Sequence, residues 1–343
     1  MSSGNRFWAT AGGELARFSG LARLSARWRG GAGAILAFDR IQPPGDSRFR
    51  PLRSTGITPV ILDRAVAALK RWKFDLVSMD EVCRRAREPR SDHRFVALTF
   101  DGRYRDVVTH AYPVLSRHDV PFAVYLPTAF PDGLGRAWWL AVQDIVARHD
   151  RISVVVKGRD RHFSAHTAVE KRELHDFLVK WLQSLATSDL SVAISDLCGR
   201  YSADPVQLSR ESAMTWEDVA RLAADPRVTI GSATVNYPVL SAIGDDEARR
   251  EMAMGRAVAQ AAIGRDLAHF AYPFGQRGTF EARHVRIARE IGFASAVTTV
   301  PGMVEADSRA DLLALPRISW GGERTSLRRL RAMMSGRALP DRR

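Results

Sequence analysis

The chain has 343 residues, a formal net charge of +13 and a sequence pI of about 10.5. Hydrophobic residues make up 45% and charged residues 26%, a balance typical of a globular protein with a sizeable core. No apolar run reaches the length of about eighteen residues that a membrane-spanning helix needs. The positive charge favours an anionic partner, such as an acidic polysaccharide or a lipid surface, or indicates only an arginine-rich solvated surface. No RNA-binding or helix-turn-helix motif occurs, so nucleic acid is not an expected partner.

The N-terminal arm, residues 1–30, mixes apolar and arginine side chains at roughly helical spacing. It predicts a basic amphipathic helix that rests on an anionic membrane, packs on the rest of the chain or stays partly disordered. The arm lacks the uninterrupted apolar centre of a signal peptide. Cys83 and Cys198 belong to no Cys-x-x-Cys motif, which predicts buried free thiols in a reducing compartment. We therefore expect a cytoplasmic location, peripheral at the inner membrane if the arm binds lipid.

After the arm, strands and helices alternate along the chain. An apolar strand is predicted over residues 31–38, and Thr58 and Pro59 mark the start of a helix that ends near residue 73. A strand over 74–78 and a helix over 79–87 follow. The apolar run from Phe95 to Phe100 predicts a buried strand that ends at Asp101. A helix over 104–118 and a strand over 121–126 complete a pattern that indicates a parallel sheet with crossover helices.

Between residues 136 and 212 the pattern changes to an amphipathic helix, a hairpin about residues 157–160 and two helices over 168–185 and 190–201. We interpret this stretch as an insertion that acts as a lid or a partner surface. A capping box from Thr215 to Asp218 then opens a helix, and strands and helices alternate again to a closing strand over 315–320. The predicted organisation is an arm over 1–30, a barrel over 31–326 and an arginine-rich tail over 327–343 that begins as a helix.

The stretch from Thr99 to Asp106 reads Thr-Phe-Asp-Gly-Arg-Tyr-Arg-Asp. It resembles, without a gap, the Thr-Phe-Asp-Asp-Gly-Tyr-Arg-Asp motif of the polysaccharide deacetylases, the NodB-homology family, in particular the branch of the chitooligosaccharide deacetylases. The resemblance implies an α/β fold, a distorted (β/α) barrel. It also implies hydrolysis of N-acetyl groups with a divalent metal, usually zinc, held by one Asp and two His. The family's general base corresponds to Asp101, and its metal-binding Asp corresponds to Gly102.

The two histidine positions are altered as well. Residues 231–238 resemble the family's Gly-Ser-His-Thr-x-x-His-Pro segment, with Ala233 and Tyr237 in place of the histidines. Glycine and alanine carry no donor atom, and a neutral tyrosine is a poor ligand beside imidazole. We therefore expect the metal to be lost and no other cofactor to replace it. His162 and His166 have a ligand-like spacing, but they lie in the inserted stretch, so we interpret it as coincidence.

The remaining motifs suggest further site residues. The segment from Phe270 to Gly275 resembles a family segment whose backbone amide holds the developing oxyanion, which assigns that role to the N–H of Phe274. The family's Leu-x-His motif, which supplies the general acid, falls at Leu315 to Ile318, where no histidine occurs. Besides Asp101 as a vestigial base, the resemblance implies these substrate-contacting residues: Asp39, Tyr104, Thr234, Tyr237, Tyr272, Pro273 and Trp320.

The free energy that the metal contributes to catalysis decides the functional prediction. Lowering the pKa of bound water from about 15.7 to about 7 is worth on the order of 12 kcal/mol. A general base contributes about 3 to 5 kcal/mol, so Asp101 alone does not replace the metal. The sequence predicts an impaired or inactive homologue that binds an N-acetylated saccharide or a partner enzyme.

Several alternatives stay open. One is an active N-deacetylase that uses Asp101 with an atypical or absent metal, and another is a membrane-surface or assembly protein that uses the arm and the tail. Asp101 is equally interpreted as a strand-end cap or a partner of Arg103 or Arg105. Tyr237 is equally interpreted as a side chain that fills the volume of a lost histidine. Most of the tryptophans among Trp138, Trp139, Trp216 and Trp320 are predicted to be core residues, although aromatic side chains also stack on sugars.

Overall fold

The computed structural model describes residues 31–43, 56–88, 93–156, 158–307, 311–322 and 325–335. The basic arm and the tail beyond residue 335 lie outside these ranges, so the predictions made for them stay predictions. Among the helices in the described ranges, none has both the length and the hydropathy that crossing a bilayer requires.

A parallel sheet forms the centre of the fold. Its strands in the described part of the chain are β1 (Gly33–Phe38), β2 (Asp75–Leu76), β3 (Phe95–Asp101), β4 (Phe122–Leu126), β7 (Val228–Ser232), β8 (His269–Ala271), β9 (Ser295–Val297) and β10 (Ile318–Ser319). They run in the order β10-β1-β3-β4-β7-β8-β9, with β2 paired to β3.

One short segment joins the two edges of this sheet. Leu315 pairs with Val297 of β9, and three residues later Ile318 pairs with Leu36 of β1. The sheet therefore curls into the distorted barrel that the resemblance implies, and the predicted closing strand is confirmed.

Helices cover the outside of the sheet. They are α1 (Pro59–Arg71), α2 (Met79–Arg87), α3 (Tyr112–Arg117), α8 (Trp216–Ala223), α9 (Asp245–Ile263), α10 (Ala282–Ile291) and α11 (Leu327–Met334). The Thr58 side chain caps α1, and the capping box of Thr215 and Asp218 opens α8, both as predicted. The predicted helix over 104–118 is instead a π-helical turn, Val107–Ala111, followed by α3. Pro113 explains the change because it has no N–H to continue the ladder.

The chain between the neighbouring strands β4 and β7 forms separate elements. They are α4 (Trp138–Arg148), the antiparallel pair β5 (Arg151–Val156) and β6 (Arg159–Ser164), α5 (Ala168–Gln183), α6 (Thr187–Tyr201) and α7 (Pro205–Ser212). The hairpin is tighter than predicted, since Val156 pairs directly with Arg159. Helix α7 was not predicted, although Asp204 caps it and Pro205 opens it.

Burial of the two cysteines is less complete than predicted. Cys83 and Cys198 are free thiols, but both are half-buried.

The sheet brings the motifs together. Because the strands are parallel, their carboxyl ends meet at one edge of the sheet. In α/β barrels the loops at this edge carry the functional residues. Asp39 follows β1, Asp101 ends β3, Ala233 follows β7 and Tyr272 follows β8. The motifs recognised in the sequence therefore meet at one end of the barrel.

Candidate functional site

Asp101 is the central group of this end of the barrel. Its side chain is 13% exposed, and both carboxylate oxygens accept hydrogen bonds within the protein. Oδ1 accepts from Nη1 of Arg317 at 2.8 Å, and Oδ2 accepts from the hydroxyl of Tyr237 at 3.2 Å. The carboxylate is therefore already engaged on both sides.

Arg317, the partner of Asp101, was not among the predicted site residues. It is fully buried, and it also donates from Nε to the backbone oxygen of Thr298 at 2.7 Å and from Nη1 to Oγ1 of Thr99 at 3.3 Å. An arginine partner of Asp101 was predicted and is present, but it is Arg317 rather than Arg103 or Arg105. Arg103 pairs with Asp39, and Arg105 pairs with Asp218. The one available signal was the position of Arg317, which falls where the family has the histidine of Leu-x-His.

The electrostatics of Asp101 do not suit a general base. Burial raises the pKa of its carboxyl group, but Arg317 and Arg103 lower it more, and the net pKa lies below the ordinary value. Asp101 therefore stays ionised at neutral pH. A carboxylate with a lowered pKa is a weak proton acceptor, because general base catalysis is most efficient when the pKa is near the working pH.

Tyr237 joins the two groups that the motifs assigned to catalysis. Its side chain is 3% exposed, and burial raises the pKa of its hydroxyl, so the hydroxyl stays protonated. While it donates to Asp101, the same oxygen accepts the N–H of Phe274 at 3.1 Å. The backbone N–H of Phe274, predicted to hold an oxyanion, is therefore hydrogen-bonded to the phenol in this structure.

The loop after β7 holds Tyr237 in this position. Glu251 of α9 accepts the backbone N–H groups of Val235 and Asn236 at 3.0 and 2.8 Å, and Oγ1 of Thr234 accepts the N–H of Tyr237 at 3.1 Å. Thr234 and Tyr237 have positive φ angles of 67° and 60°, a conformation that costs free energy in non-glycine residues. Nothing in the family motif indicated Glu251.

Arg103 lies beside Tyr237, where the family motif has a glycine. It forms an ion pair with Asp39, whose carboxylate is 26% exposed at the rim. Its guanidinium carbon lies 4.7 Å from the ring centroid of Tyr237, 5.1 Å from that of Trp139 and 5.3 Å from that of Tyr104. The cation is thus held against aromatic faces, a favourable arrangement when it is desolvated.

A second ion pair lies behind Tyr104. Nε of Arg40 donates to Oδ2 of Asp106 at 2.7 Å, and the Arg40 guanidinium lies 3.8 Å from the Tyr104 ring centroid. The other carboxylate oxygen of Asp106 is buried without a hydrogen-bond partner. Burial raises the pKa of Asp106 to about 6, although Arg40 acts against this. Part of this network therefore titrates near neutral pH.

The three family ligand positions do not fit a divalent metal. The N–H of Gly102 donates to the backbone oxygen of Tyr125 at 2.7 Å, and a Cβ atom on Gly102 would lie 2.8 Å from that oxygen. Ala233 is fully buried and has no donor atom, and the oxygen of Tyr237 is committed to Asp101 and Phe274. Across the described part of the chain, no group of three His, Cys, Asp or Glu side chains could hold a metal.

Several predicted substrate contacts lie inside the core. Tyr272 is 1% exposed and donates its hydroxyl to the backbone oxygen of Leu313, and Pro273 beside it is buried. Trp320 is 3% exposed and packs edge-on against Phe38. Thr234 and Tyr104 are buried as well. These five side chains, those of Tyr104, Thr234, Tyr272, Pro273 and Trp320, are therefore not accessible to a ligand in this conformation. Asp39 alone keeps a partly exposed polar group among the predicted contacts.

Comparison with known proteins agrees with the motifs. A family model described as polysaccharide deacetylase matches residues 196–296, a stretch that includes Ala233, Tyr237 and Phe274 but not Asp101. No curated protein sequence matches the chain.

Solved structures share the fold. The deacetylase PplD of Streptococcus pyogenes, solved with acetate, is 16% identical, with a TM-score of 0.56 over 88% of this chain and 97% of that one. IcaB of Ammonifex degensii is 17% identical, with a TM-score of 0.55 over 90% and 98%. BC0361, a polysaccharide deacetylase of Bacillus cereus, is 12% identical, with a TM-score of 0.54 over 88% and 68%. The predicted resemblance to polysaccharide deacetylases and the predicted fold are therefore confirmed.

Proposed function

We propose, on the premise that this chain has the polysaccharide deacetylase fold, that it is a homologue without the family's metal-dependent hydrolysis and that it binds an N-acetylated saccharide or a partner enzyme. The observation that carries the proposal is the hydroxyl of Tyr237, which connects Oδ2 of Asp101 with the N–H of Phe274. In the family that the motifs resemble, the corresponding groups act on the substrate. In this chain Asp101 and the N–H of Phe274 are instead both hydrogen-bonded to Tyr237.

The backbone supports the same conclusion. An aspartate at position 102 would need its Cβ atom where Tyr125 and Val124 now lie, at 2.8 and 2.9 Å. The packing of β3 against β4 therefore leaves no room for a larger side chain at position 102 unless the backbone moves. This supports the proposal that the site does not hold the metal.

The active alternative is an N-deacetylase, a hydrolase of non-peptide carbon-nitrogen bonds, that uses Asp101 with an atypical or absent metal. It requires Asp101 to take a proton from water. Arg317 and Tyr237 occupy both oxygens of Asp101 and its pKa is lowered, which weighs against this alternative.

Metal content and turnover test the loss of hydrolysis. We expect the purified protein to carry no stoichiometric zinc by elemental analysis and to release no acetate from N-acetylglucosamine oligomers. The control is Asp101→Asn, which removes the candidate base. One tightly bound zinc per chain, or acetate release that disappears in Asp101→Asn, would contradict the proposal.

Calorimetric titration with N-acetylglucosamine oligomers tests the saccharide ligand. Asp39 offers the partly exposed acceptor of the site, and a hydrogen bond to a charged group is worth about 1.5 to 3 kcal/mol, so we expect Asp39→Asn to weaken binding at least about tenfold. Asp160→Asn on β6 is the matched control, because that carboxylate is exposed and lies outside the carboxyl-end loops. Absence of binding to any oligomer, or equal effects of both changes, would exclude this saccharide at this site.

A further inference from the structure

The outward face of α1 is basic and partly apolar. Leu62, Val66 and Leu69 turn inward to the core, while Val60, 57% exposed, lies on the outer face with these exposed residues: Arg64, Ala67, Lys70 and Arg71. Asp63 is the only acidic residue between Pro59 and Lys73, and it is held by Arg117 and by His118, whose Nε2 lies 3.0 Å from its carboxylate. Within α1 the exposed basic side chains therefore outnumber the one acidic side chain, which is already paired.

The helix α11 extends this surface. It buries Leu330, Met333 and Met334 in the same core cluster as α1, and it contains no acidic residue. The guanidinium of Arg331 lies 5.6 Å from the ring centroid of half-buried Trp72, at the end of α1. We call the joined surface the basic face and define it by its exposed basic residues: Arg64, Lys70, Arg71, Lys73, Arg329 and Arg331.

We infer that the basic face is a docking surface for an anionic lipid bilayer. Clustered lysine and arginine side chains are attracted to anionic headgroups, each by about fivefold in affinity. Trp72 and exposed Val60 add an aromatic and an aliphatic group among the cations, and such groups gain by entering the boundary between headgroups and acyl chains. The phosphates of a nucleic acid duplex offer no such apolar environment, which favours lipid.

The position of the face suits a protein docked with its site outward. Helix α1 leads from the carboxyl end of β1 to the amino end of β2, so Lys70, Arg71 and Lys73 lie toward the amino ends of the strands. Arg94, just before β3, also donates to the backbone oxygen of Met334 and ties the end of α11 to this side. Asp101 lies at the carboxyl ends. The inference does not depend on the proposed function of that site.

Vesicle binding by the full-length protein tests the inference. The measurement is flotation with vesicles of phosphatidylcholine alone and with added phosphatidylglycerol, at low and high salt, because exposed charges are screened beyond about 8 Å at physiological salt. The face variant carries Arg71→Glu, Arg329→Glu and Arg331→Glu. The matched control carries Arg151→Glu, Arg159→Glu and Arg161→Glu on the exposed hairpin, with the same change in net charge.

We expect salt-sensitive binding to the anionic vesicles only, weakened at least about a hundredfold in the face variant and far less in the control. If the face variant loses stability, the milder set Arg64→Gln, Arg71→Gln and Arg329→Gln replaces it. Equal binding by the face variant and the wild type would overturn the inference. So would loss of binding only when Arg17, Arg23 and Arg27 of the arm are changed to Glu, or face-dependent binding to duplex DNA without binding to vesicles.

Discussion

Replacing Tyr237 by Phe removes one buried oxygen and leaves the ring in place. The hydroxyl makes two hydrogen bonds, a donated bond to Oδ2 of Asp101 at 3.2 Å and an accepted bond from the N–H of Phe274 at 3.1 Å. After the change, the backbone N–H of Phe274 has lost its acceptor. Of the two donors to the carboxylate of Asp101, Arg317 and Tyr237, only Arg317 remains. The stability of Tyr237→Phe therefore measures what these two hydrogen bonds contribute to the free energy of unfolding.

The expected loss of stability follows from these two bonds. A hydrogen bond to a charged group contributes about 1.5 to 3 kcal/mol, and a neutral one about 0.5 to 1.5 kcal/mol. Both distances are at the long end of the usual range, so we take the lower values. We expect Tyr237→Phe to lower the free energy of unfolding by about 2 to 3 kcal/mol.

Urea unfolding measures this difference, and Tyr272→Phe is the matched control. Tyr272 is equally buried, but its hydroxyl donates one bond of 2.8 Å to a neutral backbone oxygen of Leu313, so its loss should cost only about 1 kcal/mol. The folded-state pKa of Asp101 is lowered, so stability that depends on its ionisation is present above its ordinary pKa and is lost as pH falls through the folded value. The Tyr237→Phe deficit should therefore shrink in acid. A cost no larger than that of Tyr272→Phe, or a deficit independent of pH, would refute the reasoning.

Three other changes probe the same network, each by urea unfolding. Arg317→Met leaves Asp101 as a buried charge without its ion-pair partner and should lower the free energy of unfolding by about 3 to 5 kcal/mol. Most of this loss should be recovered when Asp101→Leu is added. A double variant as unstable as the single one would contradict this. Asp106 has a folded pKa of about 6, above its ordinary value, so its contribution to stability is lost as pH rises from about 4 to 6. Stability of Asp106→Asn relative to the wild type should therefore rise by about 3 kcal/mol across that window, and a flat difference would contradict it. Gly102→Ala places a methyl group 2.8 Å from a backbone oxygen and should cost about 1 to 3 kcal/mol, whereas unchanged stability would show that β3 and β4 separate easily.

Local sequence signals were sufficient for most of the fold. The caps Thr58 and Thr215 mark the starts of α1 and α8. The helices that were predicted incorrectly or not at all also have local causes. Pro113 lies where a π-helical turn passes into α3, in a stretch that hydrophobic spacing alone predicts as one regular helix. The inserted stretch has weak periodicity, so the start of α7 was not predicted.

The site was predictable only where it resembles the family. The motifs placed Asp101, Tyr237 and Phe274 correctly at one end of the barrel, because parallel strands bring their carboxyl ends together. The contacts among them depend on Arg317 and Glu251, which lie 216 and 150 positions from Asp101 along the chain. Pairings over such separations are set by tertiary packing, so spacing along the sequence carries no signal for them.

Two arginine side chains surround Asp101 with positive charge. Here Arg317 touches Asp101, Arg103 lies close enough to lower its pKa, and both are part of the chain. Removing Asp101 would leave Arg317 as a buried cation without its ion-pair partner, which costs several kcal/mol. The ion pair with Arg317 therefore gives Asp101 a structural role, and the presence of this aspartate is not by itself evidence of catalysis.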